Sequence, residues 1–264
     1  MLVVGLTGGI ACGKSSVSKI IQEEFHDSIP IIDADLIARE IVEPGKPAYN
    51  KIVFHFHDKV PDLINPTDQT LNRPNLGKYV FSNKDELLKL NSITHPQVRY
   101  EIFKKILLNY IKGYKMCILD VPLLFEARLD IFCGKTVSVV ISEQSVQLKR
   151  LITRNGFSEQ EAMSRINAQM STKERIYRSS FIIDNNGSLE KLRDQVKNVV
   201  LSNLKPSLLV YLLELFPPIG LCSALNVIIS NYLKIKMCTQ IYITRVVYQY
   251  VAVFFVFCFF FFLF

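Results

Sequence analysis

A chain of 264 residues, 49% of them hydrophobic, can hold one α/β domain of about 200 residues and an appendage. Its 31 basic and 24 acidic residues give a net charge of +7, but residues 205–264 carry Lys205, Lys234, Lys236 and Arg245 against Glu214 alone, leaving an excess of +4 before them. That modest excess suits an anionic small molecule and argues against a nucleic-acid partner, which needs a concentrated basic stripe.

Leu2–Leu6 reads as a buried strand, and Val17, Ile20 and Ile21 recur at helical spacing, predicting a helix over Ser15–Phe25. Between them, Gly8, Gly9, Ile10, Ala11, Cys12, Gly13, Lys14, Ser15 and Ser16 contain Gly-x4-Gly-Lys-[Ser/Thr], the phosphate-binding P-loop. Glycines let successive backbone N–H groups curl around a polyphosphate, and the next helix offers its positive end to the same anion. Lys14 can reach the terminal phosphates, and the Ser15 hydroxyl can ligate Mg²⁺. The apolar start lacks a basic n-region and runs straight into this loop, so it reads as a strand rather than a signal peptide.

A short strand, Ile29–Ile32, then ends in Asp33-Ala34-Asp35. Ligands of open parallel sheets gather beyond the carboxyl ends of strands, so Asp33 is a candidate base or metal holder. Asp35 is open to a similar role or to N-capping a helix over Leu36–Val42. Residues 44–85 read as loops with short helices around Tyr49–Phe56, where His55 and His57 form a surface pair with no third ligand nearby. Two helices, Asp85–Ser92 and Gln97–Ile111, flank Thr94-His95-Pro96. Met116–Leu119 is a fully apolar strand with Asp120 at its carboxyl end, the place of a second, Mg²⁺-directed carboxylate or of a local loop aspartate.

Val137–Ile141 is a further strand. From Gln147 the chain turns basic and helical, with Lys149, Arg150, Arg154, Arg165, Lys173, Arg175 and Arg178. Such a run is either a solvated face or a mobile lid that closes over the γ-phosphate and excludes water. Phe181–Ile183 gives a last strand, Asp184–Gly187 a turn, and Ser188 an N-cap for a helix over Leu189–Leu201. Strands alternating with helices imply a doubly wound parallel sheet. The six cysteines make no Cys-x-x-Cys pair and sit largely in apolar runs, which favours reduced, buried thiols in the cytosol over disulfides or zinc.

After the linker Ser202–Pro206, Leu208–Leu233 carries only Glu214 and a Pro217-Pro218 break, and Val246–Phe264 has no charge at all. Both are long enough to reach across a hydrocarbon core of about 30 Å. A two-span hairpin would place Lys234, Lys236 and Arg245 on the side away from the P-loop domain, against the positive-inside tendency if that domain is cytosolic. A single crossing, or an interfacial or re-entrant insertion bent at Pro217-Pro218, fits better, with Val246–Phe264 as an accidental extension. Truncation after Leu204 is then expected to give a soluble, active domain.

With these residues laid out, residues 1–204 resemble the dephospho-CoA kinase family. The resemblance rests on Gly5–Ile10 leading into Gly13-Lys14-Ser15; on Asp33-Ala34-Asp35 with Arg39 and Val42-Glu43-Pro44-Gly45; and on Thr94-His95-Pro96 and Asp120–Glu126. Further matches are Gln147–Leu151, Arg154-Asn155, Arg165–Gln169 and Ile183–Gly187. The resemblance implies ATP-dependent phosphorylation of the ribose 3′-hydroxyl of dephospho-CoA, the last step of coenzyme A synthesis. It implies a nucleotide core, a helical substrate region over about 60–115 and a lid over about 143–178. Carried over by motif, Asp33 is the base, Lys14 and Arg154 stabilise the migrating phosphoryl group, and Ser15 holds Mg²⁺ with Asp120 nearby. Asp35, Arg39 and His95 then lie on the CoA side. Cys12 and Ser16 stand where Ser and Thr are more usual, and His57-Asp58 where Phe-Gly is frequent. The implied location is the cytoplasmic side of an intracellular membrane, or a soluble cytosolic or mitochondrial one.

Overall fold

The structure, a computed structural model, describes residues 1–26, 28–204 and 217–239. Five strands form one parallel sheet: β1 (Leu2–Gly8), β2 (Ile31–Asp33), β3 (Met116–Asp120), β4 (Lys135–Val140) and β5 (Phe181–Asp184), in the order β2-β3-β1-β4-β5. Side chains alternate across a strand, and that period sorts the core into two layers. Val3, Cys117 and Leu119 face one apolar cluster; Val4, Leu6, Met116 and Ile118 face the other. A strand covered on both sides needs apolar residues at consecutive positions, which is why β1 and β3 read as unbroken runs.

The second layer is closed by α1 (Lys14–Phe25) and α9 (Leu189–Asn198), through Val17, Ile20, Ile21, Leu192 and Val196. Glu23 and Glu24 on α1 hold Arg193 of α9 in paired contacts. Ser188 caps α9 as its sequence position predicts, and the helix continues as a π-helical stretch, Val199–Leu204. The first layer is covered by α2 (Ala34–Glu40), α3 (Pro47–Phe56), α4 (Arg73–Ser82) and α5 (Lys84–Ile111). His55 near the end of α3 lies 2.8 Å from Glu86 on α5, which Lys59 also reaches at 2.6 Å, so this histidine ties two helices together.

Two helix assignments differ from expectation. The two helices around Thr94-His95-Pro96 are one, α5, running through Pro96. Proline removes one N–H from the ladder, but Leu87, Leu90 and Ile93 before it and Val98, Ile102 and Ile106 after it pack on the same core, which holds both halves in line. Helix α2 starts at Ala34 rather than Leu36, and its cap is Asp33, not Asp35. Asp33 keeps extended backbone angles (φ −85°, ψ 114°) as the last residue of β2, so strand passes into helix without a loop.

Between β4 and β5 lie α6 (Gln144–Asn155), α7 (Glu159–Asn167) and α8 (Thr172–Arg178). A left-handed Gly156 ends α6, and a Ser158/Glu161 capping box starts α7. The tail helix α10 (Pro217–Thr239) opens at the proline pair, as proline at a first helical turn allows. It packs on the 3₁₀ turn Asp130–Phe132, where Asn231 Nδ2 donates to the carbonyls of Asp130 (3.0 Å), Ile131 (3.4 Å) and Cys133 (2.8 Å). Among the described residues no helix is long and apolar enough to cross a membrane. Val246–Phe264 lies outside the described residues. Cys12, Cys117 and Cys133 are buried free thiols, whereas Cys222 on α10 is exposed, against expectation.

Candidate active site

The carboxyl ends of β1, β2 and β3 bring together Gly8, Asp33 and Asp120, the last two directly paired in register. β1 sits between β3 and β4, so the chain leaves it on one side for β2 and β3 and crosses to the other for β4. Such a switch point opens the crevice in which α/β proteins bind ligands.

The loop after β1 turns through Ala11 (φ +59°) and Gly13 (φ +91°) before α1 begins at Lys14. A Cβ at Gly13 would stand 2.0 Å from the Asn185 amide, so only glycine fits there. Three uncharged side chains from the far half of the chain brace the loop. Gln147 Nε2 donates to the Ile10 carbonyl (2.8 Å), Gln169 Oε1 accepts from the Ile10 N–H (2.8 Å), and Asn185 Nδ2 donates to the Cys12 carbonyl (2.9 Å). Arg150 then bonds the Asn185 carbonyl at 3.2 Å. The start of α1, with Ser15 and Ser16 exposed, leaves helix N–H groups for an anion.

Lys14 Nζ pairs with Asp120 Oδ1, and Ser18 Oγ donates to Asp120 Oδ2 at 2.5 Å. Asp120 is 6% exposed, so the pair is largely shielded from solvent. Asp33 Oδ1 accepts from the N–H groups of Asp35 (2.8 Å) and Leu36 (3.0 Å), which orients the carboxylate and leaves Oδ2 for a ligand. Burial, and then the charge of Asp33, push the Asp35 carboxyl above the usual range, with Lys14 and Arg39 pulling it back. These couplings place Asp33, Asp35, Lys14, Asp120 and Arg39 in one electrostatic neighbourhood.

Two other expected residues make no hydrogen bond to it among the described residues. Arg154 is exposed and its Nε donates to Asn155 at 2.8 Å, with no hydrogen bond to the loop. His95 lies on α5, its imidazole held low by partial burial and by Arg99. Arg165 stacks on Phe157 at 4.3 Å, a brace within the helical insert between β4 and β5. The basic run also holds one residue that charge patterning misplaces: Arg175 is 3% exposed, its Nη1 against Gly9 and its Nη2 3.4 Å from Glu126. Burial raises the Cys12 thiol, with the charge of Arg175 opposing, so Cys12 is a packing residue rather than a nucleophile.

Among the described residues no three His, Cys, Asp or Glu side chains form a metal cage. The donor set nevertheless fits Mg²⁺, which takes one or two protein oxygens and completes its shell with phosphates and water. Ser15 at the start of α1 and Asp120 at the end of β3 are the oxygens on offer.

A parallel sheet with this loop, a strand-end carboxylate pair and helices after β4 defines a P-loop kinase. A family profile described as dephospho-CoA kinase matches residues 2–191. The chain is 53% identical over 238 residues to a dephospho-CoA kinase of Saccharomyces cerevisiae, covering 90% of this chain and 97% of that protein. It is 46% identical over 198 residues to one of Carboxydothermus hydrogenoformans, covering 75% and 92%. Among solved structures, a dephospho-CoA kinase from Campylobacter jejuni superposes with a TM-score of 0.59 at 27% identity, covering 75% of this chain and 94% of that one. This chain belongs to the dephospho-CoA kinase family, enzymes of the last step of coenzyme A synthesis. The yeast match runs past residue 204 into the tail.

Proposed function

We propose that the chain transfers the γ-phosphoryl group of ATP to the ribose 3′-hydroxyl of dephospho-CoA, with Asp33 as the base. The observation that carries the assignment of roles is the in-register pair Asp33 and Asp120, with Lys14 held on Asp120 beside the P-loop. Asp33 Oδ2 takes the hydroxyl proton as that oxygen attacks the γ-phosphorus, and ADP leaves on the opposite side. Lys14 moves from Asp120 to the β- and γ-phosphate oxygens. Ser15, with Asp120 nearby, would hold Mg²⁺, which would supply charge neutralisation at the phosphates when bound. Asp35, Arg39 and His95 flank the CoA substrate. Incubating the protein with γ-labelled ATP and dephospho-CoA tests this reading, which fails if label appears only as free phosphate.

Arg154 fits as a residue that reaches the γ-phosphate only when α6 and α7 close, which agrees with its exposed position here. Arg154→Ala should therefore lower kcat more than it raises KM for the CoA substrate, because the contact forms on the way to the transition state. Wild-type kinetics in this variant would return Arg154 to a solvated helix face.

Residues 1–204 contain every proposed site residue, and α10 adds Asn231 to the 130–133 turn. Truncation after Leu204 is expected to retain kcat. It should lower Tm by several degrees, since hydrogen bonds of about 1 kcal/mol each convert at about 2–4 °C per kcal/mol in a domain of this size. Loss of activity in a folded truncation would make the tail part of the kinase. Tail contact with a bilayer, in its interfacial form, has one support: Leu225, Ile229 and Tyr232 are exposed at i, i+4 and i+7 on α10. The full chain, unlike residues 1–204, should then sediment with phosphatidylcholine vesicles through a high-salt wash. A full chain that stays in the supernatant removes the membrane reading.

A further inference from the structure

The kinase mechanism above leaves Arg175 without a task. Its guanidinium is 3% exposed and lies at the base of the P-loop. A Cβ on Gly9 would stand 2.9 Å from Nη1, and the Gln147 amide and Cys12 Sγ would each stand 3.1 Å from it. Nε is buried with no hydrogen-bond partner. Among the described residues the one ion pair of this cation is the 3.4 Å contact with Glu126, and the same Glu126 oxygen also accepts from the Met170 N–H at 3.3 Å. Nη1 makes no hydrogen bond to any described residue. A buried cation with one long, shared counter-ion is costly, because desolvation is only partly offset. Structures keep such a group where a ligand supplies the missing negative charge.

The position identifies the ligand chemistry. Glu126 belongs to the segment after β3, and Arg175 to α8 at the end of the helical insert. Ser179 Oγ bonds the Arg175 carbonyl at 2.7 Å and the Ser138 hydroxyl of β4 at 2.6 Å, so this end of α8 is tied to the sheet. Arg175 is thus seated before any closure of α6 and α7, unlike Arg154.

We propose that Arg175 is a phosphate-binding residue of the open enzyme: Nη1 takes a β- or γ-phosphate oxygen of the nucleotide, with Glu126 fixing the plane of the guanidinium. This rests on the P-loop nucleotide site proposed above and adds a residue to it. Arg175 grips the polyphosphate on arrival, and Arg154 adds its contact on closure. The cation therefore serves nucleotide affinity first, and its loss should be felt by ATP and ADP but hardly by AMP, whose single phosphate lies nearer the ribose.

Calorimetric titration of the full chain with ATP, ADP and AMP tests this, comparing wild type with Arg175→Met and Arg175→Lys. Arg175→Met should weaken ATP and ADP by roughly 10- to 100-fold, the worth of a charged hydrogen bond, and leave AMP within about twofold. The nucleotide-free Met variant should melt no lower than wild type, because an apolar isostere replaces an under-paired charge. Arg175→Lys keeps the charge without the fork and should fall between the two; it also serves if the Met variant does not fold. Unchanged ATP binding, or an equal loss for ATP and AMP, would make Arg175 a prop for the loop and overturn the proposal. A wild-type chain that binds ATP but does not phosphorylate dephospho-CoA fails the functional reading alone, and the Arg175 comparison still stands.

Discussion

Asp33→Asn is expected to lower kcat by roughly 10²–10⁴, the usual worth of a general base, with ATP affinity nearly unchanged. The substitution keeps the side chain's length and its carbonyl oxygen, so the N-cap bonds to Asp35 and Leu36 can persist and α2 should stay in place. What the amide cannot do is accept the ribose proton at the second position. Steady-state kinetics with dephospho-CoA, alongside ATP titration, separate the two functions open to a strand-end carboxylate. If ATP·Mg²⁺ binding collapses while kcat survives, Asp33 holds the metal and the base lies elsewhere. Asp33→Ala removes the cap as well, and should add a stability loss of about 0.5–2 kcal/mol that the Asn variant avoids.

Lys14→Ala should cost on the order of 10²–10³ in rate, as loss of a preorganised electrostatic contact does. The loop itself is shaped by Gly13 and by the bonds from Gln147, Gln169 and Asn185, none of which involves the lysine side chain. The fold should therefore survive. One compensation is needed: without Lys14, the Asp120 side chain keeps, among the described residues, the Ser18 hydroxyl alone as a partner while remaining nearly buried. Some stability is lost on that account, and Asp120→Asn added to Lys14→Ala should restore part of it without restoring rate. Full turnover in a folded Lys14→Ala protein would contradict the P-loop assignment.

The parts of the site legible in the sequence are those written locally. The P-loop, the strand-end positions of Asp33 and Asp120, and the Ser188 cap each follow from a few adjacent residues. What sequence could not show depends on distant partners. Gln147, Gln169 and Asn185 fell within the family-like stretches, yet nothing in a one-dimensional pattern says that their amides meet Ile10 and Cys12. Arg175 looked like one more charge in a basic run, and its burial comes from Gly9 and Glu126, far away along the chain. Pro96 broke the helical pattern on propensity, and only packing on both sides of it rejoined α5. Asn231 was one of several polar residues in an apolar stretch until the open carbonyls of the 130–133 turn gave it partners.

The most direct test of the central claim is phosphotransfer by the purified chain, with the position of the new phosphate determined on the product. Given ATP, Mg²⁺ and dephospho-CoA, the account predicts stoichiometric ADP and a product phosphorylated at the ribose 3′-oxygen, formed by the wild type and lost in parallel in Asp33→Asn and Lys14→Ala. ADP release with dephospho-CoA left unmodified, or phosphate on any other oxygen, would contradict it.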